Sequence, residues 1–298
     1  VNKIVECVPN FSCAKDTQAV EAIVQVVRES PGVKLLDYAP DNDHNRTVVT
    51  FIGDPEHVAE TAFRLAKKAA EVIDMSQHKG GHPRMGAMDV CPFIPVRNVT
   101  MAECVQLSRT VGQRIGEELW IPVYLYENAA SAPHRRNLAD VRKGEYEGYF
   151  EKIKDPQWTP DFGPKAMNAR SGCSVVGARF FLIAYNVNLA TDRMDIGQAI
   201  AKKIRFLNGG LRFVKAMAVK LEERNQVQIS MNLVNYDKTA IYQAFEMIVM
   251  EARRYGVTVV GSEIVGLVPL AALIGSLDYY LQLEHFSMDQ VLEHKLSE

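Results

Sequence analysis

Cysteine is scarce and scattered: Cys7, Cys13, Cys91, Cys104 and Cys173 make five in 298 residues, with no CxxC pair. That excludes a disulfide-stapled secreted scaffold and fits reduced thiols in a cytoplasmic protein. Excess charge of one sign is also missing. Lys+Arg number 34 against 36 Asp+Glu, a formal charge of −2, so no basic surface awaits a nucleic-acid backbone. No run approaches the roughly 18 uninterrupted apolar residues of a membrane helix. The start, Val1-Asn2-Lys3-Ile4-Val5-Glu6, has no apolar core of a secretory signal. GxGxxG, GxxxxGK and GxSxG are all absent, which removes the usual support for dinucleotide, P-loop and hydrolase readings.

What is present is core. Hydrophobic residues are 47% and charged residues 23%, enough for a globular chain that its length divides into about two domains. An element pattern occurs twice. In the first half a strand over 4–8 precedes a helix capped by Asp16, whose apolar stripe is Val20, Ile23, Val24 and Val27. Strands over 33–36 and 47–52 follow. Asp54-Pro55 then opens a helix striped by Val58, Ala62, Leu65, Ala69 and Val72, before a strand over 90–94. The second half runs through a strand over 181–189, a helix capped by Asp192 and striped by Ile196, Ile200, Ile204 and Leu207, and strands over 213–221 and 227–234. A helix capped by Asp237 and a strand over 257–260 complete it. Both halves read β-α-β-β-α-β. The expected fold class is α/β (α+β): two ferredoxin-like subdomains, 1–178 and 179–298, each a sheet with helices on one face.

Between the repeats, Thr100-Met101-Ala102-Glu103 is a capping box opening a helix to about 119. A strand over 121–126 and a partly helical charged stretch over 135–154 follow. Residues 163–177, rich in glycine and small side chains, are the expected join. The tail carries a helix started by Pro269 and a second capping box, Ser287-Met288-Asp289-Gln290.

The densest chemistry lies in His78-Lys79-Gly80-Gly81-His82-Pro83-Arg84-Met85-Gly86-Ala87-Met88-Asp89, between a helix and a strand. Pro83 biases His82 toward extended backbone. For any single residue a solvated connection is the simpler reading; the cluster as a whole favours function. His78 and His82 have the spacing of metal ligands on a helix. But Gly80-Gly81 oppose a helix, Lys79 stands where a metalloprotease motif has Glu, and no third ligand is evident, so no metal is expected. An imidazole that titrates near neutrality, beside an arginine suited to anions, fits acid–base catalysis better. A second region, from Trp158 to Gly172, reads either as an interdomain linker or as a loop closing over a flat ligand at a domain junction.

Several segments resemble the formiminotransferase domain of glutamate formiminotransferases. They are Val5-Glu6-Cys7-Val8-Pro9-Asn10-Phe11-Ser12, Asn45-Arg46-Thr47, the run from His82 to Pro95, Asp161-Phe162-Gly163-Pro164, and Val260 to Pro269. The resemblance covers nearly the whole chain. It implies two subdomains with tetrahydrofolate bound as co-substrate in a channel between them, and transfer of a formimino group from N-formimino-L-glutamate to N5 of tetrahydrofolate. It matches His82 to the family's catalytic histidine. It matches Gly163, Pro164, Lys165, Ala166, Met167, Asn168, Ala169, Arg170, Ser171 and Gly172 to the folate-binding segment. Both substrates are anionic, so Arg84, Arg46 and Lys165 are the candidate carboxylate partners. Ala39 departs from the family, which often carries an acid there; Asp41 and Asp43 are the nearby carboxylates that could orient His82 instead. The expected protein is a stand-alone cytoplasmic transferase, a homodimer, with small-molecule substrates and no nucleic-acid or membrane partner. Two rivals stay open: the same fold with a formyl donor, and a non-catalytic tandem sensor, which has no need of the His82 cluster.

Overall fold

The computed structural model describes residues 2–42, 44–80 and 83–296. Its contacts divide the chain into two compact units, Val1–Phe180 and Phe181–Glu298.

The first unit opens with β1 (Ile4–Cys7) and β2 (Asn10–Phe11), one strand interrupted at Pro9, which has no N–H to give a ladder. Asp16 caps α1 (Thr17–Arg28), its carboxylate accepting the N–H groups of Gln18 and Ala19. After β3 (Val33–Asp41) and β4 (Arg46–Gly53), Asp54 caps α2 (Pro55–Val72) in the same way, with proline at N1. β5 (Met88–Arg97), α3 (Met101–Glu118), β6 (Val123–Glu127), α4 (Leu138–Arg142), α5 (Glu145–Lys152) and β7 (Ser174–Ala178) follow. Among the described residues β3 pairs with β4 alone, and it runs further than expected. Pro40 is tolerated there because an edge strand can spare the N–H. β1 and β2 lie between β4 and β5, antiparallel to both, and β7 lies parallel between β5 and β6.

Two expectations change here. Residues 163–177 do not join the units, because Ser174–Ala178 is a wholly buried strand of the first sheet, between β5 and β6. Nor are helices confined to one face. α1, α2 and α3 pack on Val5, Cys7, Phe51, Cys91 and Phe93, while Val141 of α4 and Tyr149 of α5 cover Val90, Tyr124, Tyr126 and Val175 on the opposite face.

The second unit contains β8 (Ile183–Leu189), α6 (Met194–Ile204), β9 (Val214–Leu221), β10 (Gln226–Leu233), α7 (Ile241–Arg253), β11 (Val259–Val265), α8 (Leu270–Leu281) and the short α9 (Leu292–Leu296). Its sheet is antiparallel in the order β11-β8-β10-β9. Ile183, Tyr185, Val187 and Leu189 meet Ile196, Ile200, Ala244 and Ile248 in its core. Asp192 does not cap α6; Arg193 occupies the cap position, and its side chain makes no capping bond among the described residues. Asp237 does not cap α7; the N–H of Ala240 donates to the Gln243 side chain at 2.8 Å instead. α6 stops at Ile204, so Leu207 falls in a following 3₁₀ turn, 84% exposed. The Ser287 capping box opens only a single 3₁₀ turn.

Candidate functional site

The loop between α2 and β5 is held at several points by side chains distant in sequence. His82 and Gly81 lie outside the described residues; His78, Lys79, Gly80, Pro83 and Arg84 lie within them. Asn45, in left-handed backbone (φ 48°), is one anchor. Its Oδ1 accepts the N–H groups of Ala14 (2.9 Å) and Lys15 (3.2 Å), and its Nδ2 donates to the carbonyl of Lys79 (3.0 Å). Its own carbonyl accepts Nε2–H of His78 at 3.1 Å. A Cβ on Gly80 would sit 2.4 Å from the carbonyl oxygen of His44, so the approach needs glycine.

His78 is therefore no solvated neighbour. With Nε2–H committed to Asn45, its Nδ1 accepts from Nε of Arg84 at 3.1 Å, which requires the neutral ring. Burial, with the Arg84 charge acting in the same direction, depresses its pKa. Arg84 itself is buried. Its Nη1 donates to Glu145 (3.1 Å) and Glu147 (2.9 Å), and its Nη2 donates to Glu147 (2.6 Å). The guanidinium is thus committed to α5 rather than presented to a ligand.

Asp89 is buried on β5, accepting the Met85 N–H at 2.7 Å and pairing with Arg142 of α4. Arg46 lies in the field of Arg142, Asp41 and Asp89, and burial lowers its pKa. Asp41 accepts from the ring Nδ1 of His44 at 2.6 Å, while Asp43 lies outside the described residues.

The glycine-rich stretch packs onto the same loop. Gly172 bridges Gly86; Ala87 N–H donates to the Ser171 carbonyl (2.8 Å) and Cys173 N–H to the Met85 carbonyl (3.1 Å). Tyr146 of α5 donates its hydroxyl to the Ala169 carbonyl at 2.5 Å. Asn168 Oδ1 accepts the N–H groups of Arg170 and Ser171. Arg170 donates to the carbonyls of Ala70 and Glu71, a cation on the C-terminal end of α2. Gly163, Lys165, Ala166 and Ala169 are exposed. Two stretches about 80 residues apart thus form one surface; buried Arg84 and exposed Arg170 both spend donors on protein groups there.

Sequence reasoning missed Glu145, Glu147, Arg142 and the clamp role of Asn45. It also missed Glu6 as a chemical group. Glu6 is 4% exposed on β1, and its Oε2 has no hydrogen-bond partner among the described residues. Burial pushes its pKa up to about 7, against the pull of Arg179. An acid between Val5 and Cys7, both core residues, was the available signal.

The N-terminal subdomain of the formiminotransferase domain matches residues 4–179, and the formiminotransferase domain matches 184–296. The chain is 50% identical to a glutamate formimidoyltransferase of Streptococcus pyogenes serotype M1, over 99% of both chains. It is 52% identical to one of Thermoplasma acidophilum, over 98% of this chain and 97% of the relative. A formimidoyltransferase-cyclodeaminase of Dictyostelium discoideum is 46% identical over all of this chain and 56% of its own length. The chain belongs to the formiminotransferase family.

Proposed function

We propose that the chain is a glutamate formimidoyltransferase. It moves the formimino group of N-formimino-L-glutamate to N5 of tetrahydrofolate, its co-substrate, and releases L-glutamate. End-to-end likeness to two proteins of that name, at about half identity, carries this reading. The chemistry needs a group that can take a proton from N5 and return one to the departing glutamate nitrogen. An imidazole titrating near neutrality serves both directions, and His82 is assigned that role. The described residues on either side of it, His78–Gly80 and Arg84, are anchored by distant side chains.

Folate is assigned to residues 163–172 as they lie against this loop. Among the three cations proposed for the substrate carboxylates, Lys165 is exposed, Arg46 sits by Asp41 and Asp89, and Arg84 is turned to Glu145 and Glu147. We read both units as ferredoxin-like and take 1–178 and 179–298 as the subdomains. The antiparallel order β11-β8-β10-β9 supports this in the second unit. No metal is invoked. Among the described residues no helix is long and apolar enough to cross a membrane; the protein is assigned to the cytoplasm, as a homodimer.

An ultraviolet assay with formiminoglutamate and tetrahydrofolate tests the activity. Formimino transfer should clearly exceed transfer from N-formylglutamate; the reverse preference would move the chain to a formyl donor.

A further inference from the structure

The sheet of the second unit has an apolar face against α6 and α7 and a polar face opposite. On the polar face the register sets Gln228 of β10 beside Asn188 of β8, and Glu263 of β11 beside Asn186 of β8. Asn188 and Gln228 are each only 7% exposed. Gln228 Nε2 donates both to Asn188 Oδ1 (3.0 Å) and, across β8, to Glu263 Oε1 (2.9 Å). Asn186 Nδ2 donates to the same Oε1 at 3.1 Å. Both protein donors therefore land on one carboxylate oxygen. Among the described residues Oε2 has no hydrogen bond, and no cation forms an ion pair with Glu263.

Holding a carboxylate by two neutral amides fixes its direction without cancelling its charge. A buried amide row is a costly way to do this unless the oriented oxygen is used. The oxygen is also not walled off. A cavity of about 350 Å³ is lined by Glu263, Gln228, Leu221 and the β9–β10 hairpin, including Lys220 and Arg224. A fixed carboxylate acceptor without an ion pair among the described residues favours a ligand that brings N–H donors and positive charge or strong polarity.

We propose that Glu263, held in place by Asn186 and Gln228, is a substrate-binding residue that receives a planar N–C–N group bearing N–H donors. This rests on the transferase reading, in which both substrates carry such a group: the formamidine of formiminoglutamate, and the 2-aminopyrimidinone edge of tetrahydrofolate. The chemistry is shared, and the test separates the two sources.

The variant is Glu263→Gln, whose side-chain carbonyl still accepts from Asn186 and Gln228, so the sheet face keeps its bonds; far-ultraviolet circular dichroism checks this. Wild type and variant are titrated calorimetrically with N-formimino-L-glutamate and, separately, with tetrahydrofolate. Replacing the charged acceptor by a neutral one should weaken one ligand by roughly 10- to 100-fold, with the other within about threefold. Selective loss of formiminoglutamate assigns Glu263 to the formamidine; selective loss of tetrahydrofolate assigns it to the pterin. Unchanged affinity for both, or equal weakening of both, overturns the proposal. A wild-type chain that binds both substrates without transfer would instead remove the transferase reading, while the titrations still decide Glu263.

Discussion

Gly172 is where the glycine-rich stretch touches the loop that carries His82, and its replacement tests whether that contact holds the first unit together. Gly172 has φ +69°, and a Cβ there would stand 2.2 Å from the carbonyl oxygen of Met85 and 2.7 Å from Cα of Gly86. Left-handed backbone costs alanine about 1–2 kcal/mol. The overlap is with backbone, which cannot rotate away, and adds about 1–3 kcal/mol. The stiffer unfolded chain returns about 0.4–1 kcal/mol. Gly172→Ala should therefore destabilise by about 1–4.5 kcal/mol. Two glycines of the same unit serve as comparisons. Gly144 has φ +98° but its nearest atom to a Cβ is 3.6 Å away, so alanine there bears conformational strain without overlap. Gly148, inside α5, has nothing within 4 Å, so alanine should be neutral or stabilise by about 0.5–1 kcal/mol. The two tryptophans, Trp120 and Trp158, both lie in the first unit, so their fluorescence during urea unfolding reports on it alone. At a slope of about 2–3 kcal/mol/M the Gly172→Ala midpoint should fall by about 0.3–2 M. A midpoint within about 0.2 M of wild type, or a fall no larger than that of Gly144→Ala, would refute the packing argument.

Two further outcomes are expected. His82→Asn should lower kcat by roughly 10²–10⁴, the usual worth of positioned proton transfer, with tetrahydrofolate affinity kept within about threefold by fluorescence titration; near-normal turnover would remove His82 from the mechanism. Glu6 binds its proton more tightly when folded, so the stability it contributes is full below about pH 4.5 and lost as pH rises through about 7. Glu6→Gln should therefore gain about 3 kcal/mol on wild type at pH 8 and little at pH 4.5 in urea melts, and equal gains at both would show that burial does not perturb this carboxyl.

Local physics made much of the fold legible. Asp16, Asp54 and Thr100 are read as caps because a short oxygen-bearing side chain before an apolar stripe can take up free N–H groups, and all three do so. Asp192 and Asp237 have the same chemistry, but the chain turns into α6 and α7 later, beyond their reach. Residue type marks that a helix begins nearby, while the cap is decided by tertiary packing. β7 escaped for a different reason. A serine followed by four small or β-branched apolar residues carries no period, and the five form a strand only because β5 and β6, distant in the chain, supply both neighbours. Its glycine, Gly177, reads as a linker residue and is instead the place where Tyr126 crowds the backbone.

The candidate site divides along the same line. The loop from His78 to Asp89 stands out by composition, since imidazoles and cations cluster there on a Gly/Pro backbone with no apolar period. What each side chain does there depends on residues 30 to 60 positions away. Arg84 shows why this matters. Beside a histidine, and with anionic substrates to bind, it reads as a carboxylate receptor. In the folded chain it already has two carboxylates, Glu145 and Glu147, together with the ring of His78. To grip a substrate it would have to leave a bidentate pair for another of the same kind, a nearly even exchange that would also release His78 and the loop end. The geometry therefore gives Arg84 more leverage as a clamp than as a receptor. We therefore propose a less committed cation for the substrate charge: Lys165, exposed on the stretch that bridges to Gly86 and without an ion pair among the described residues.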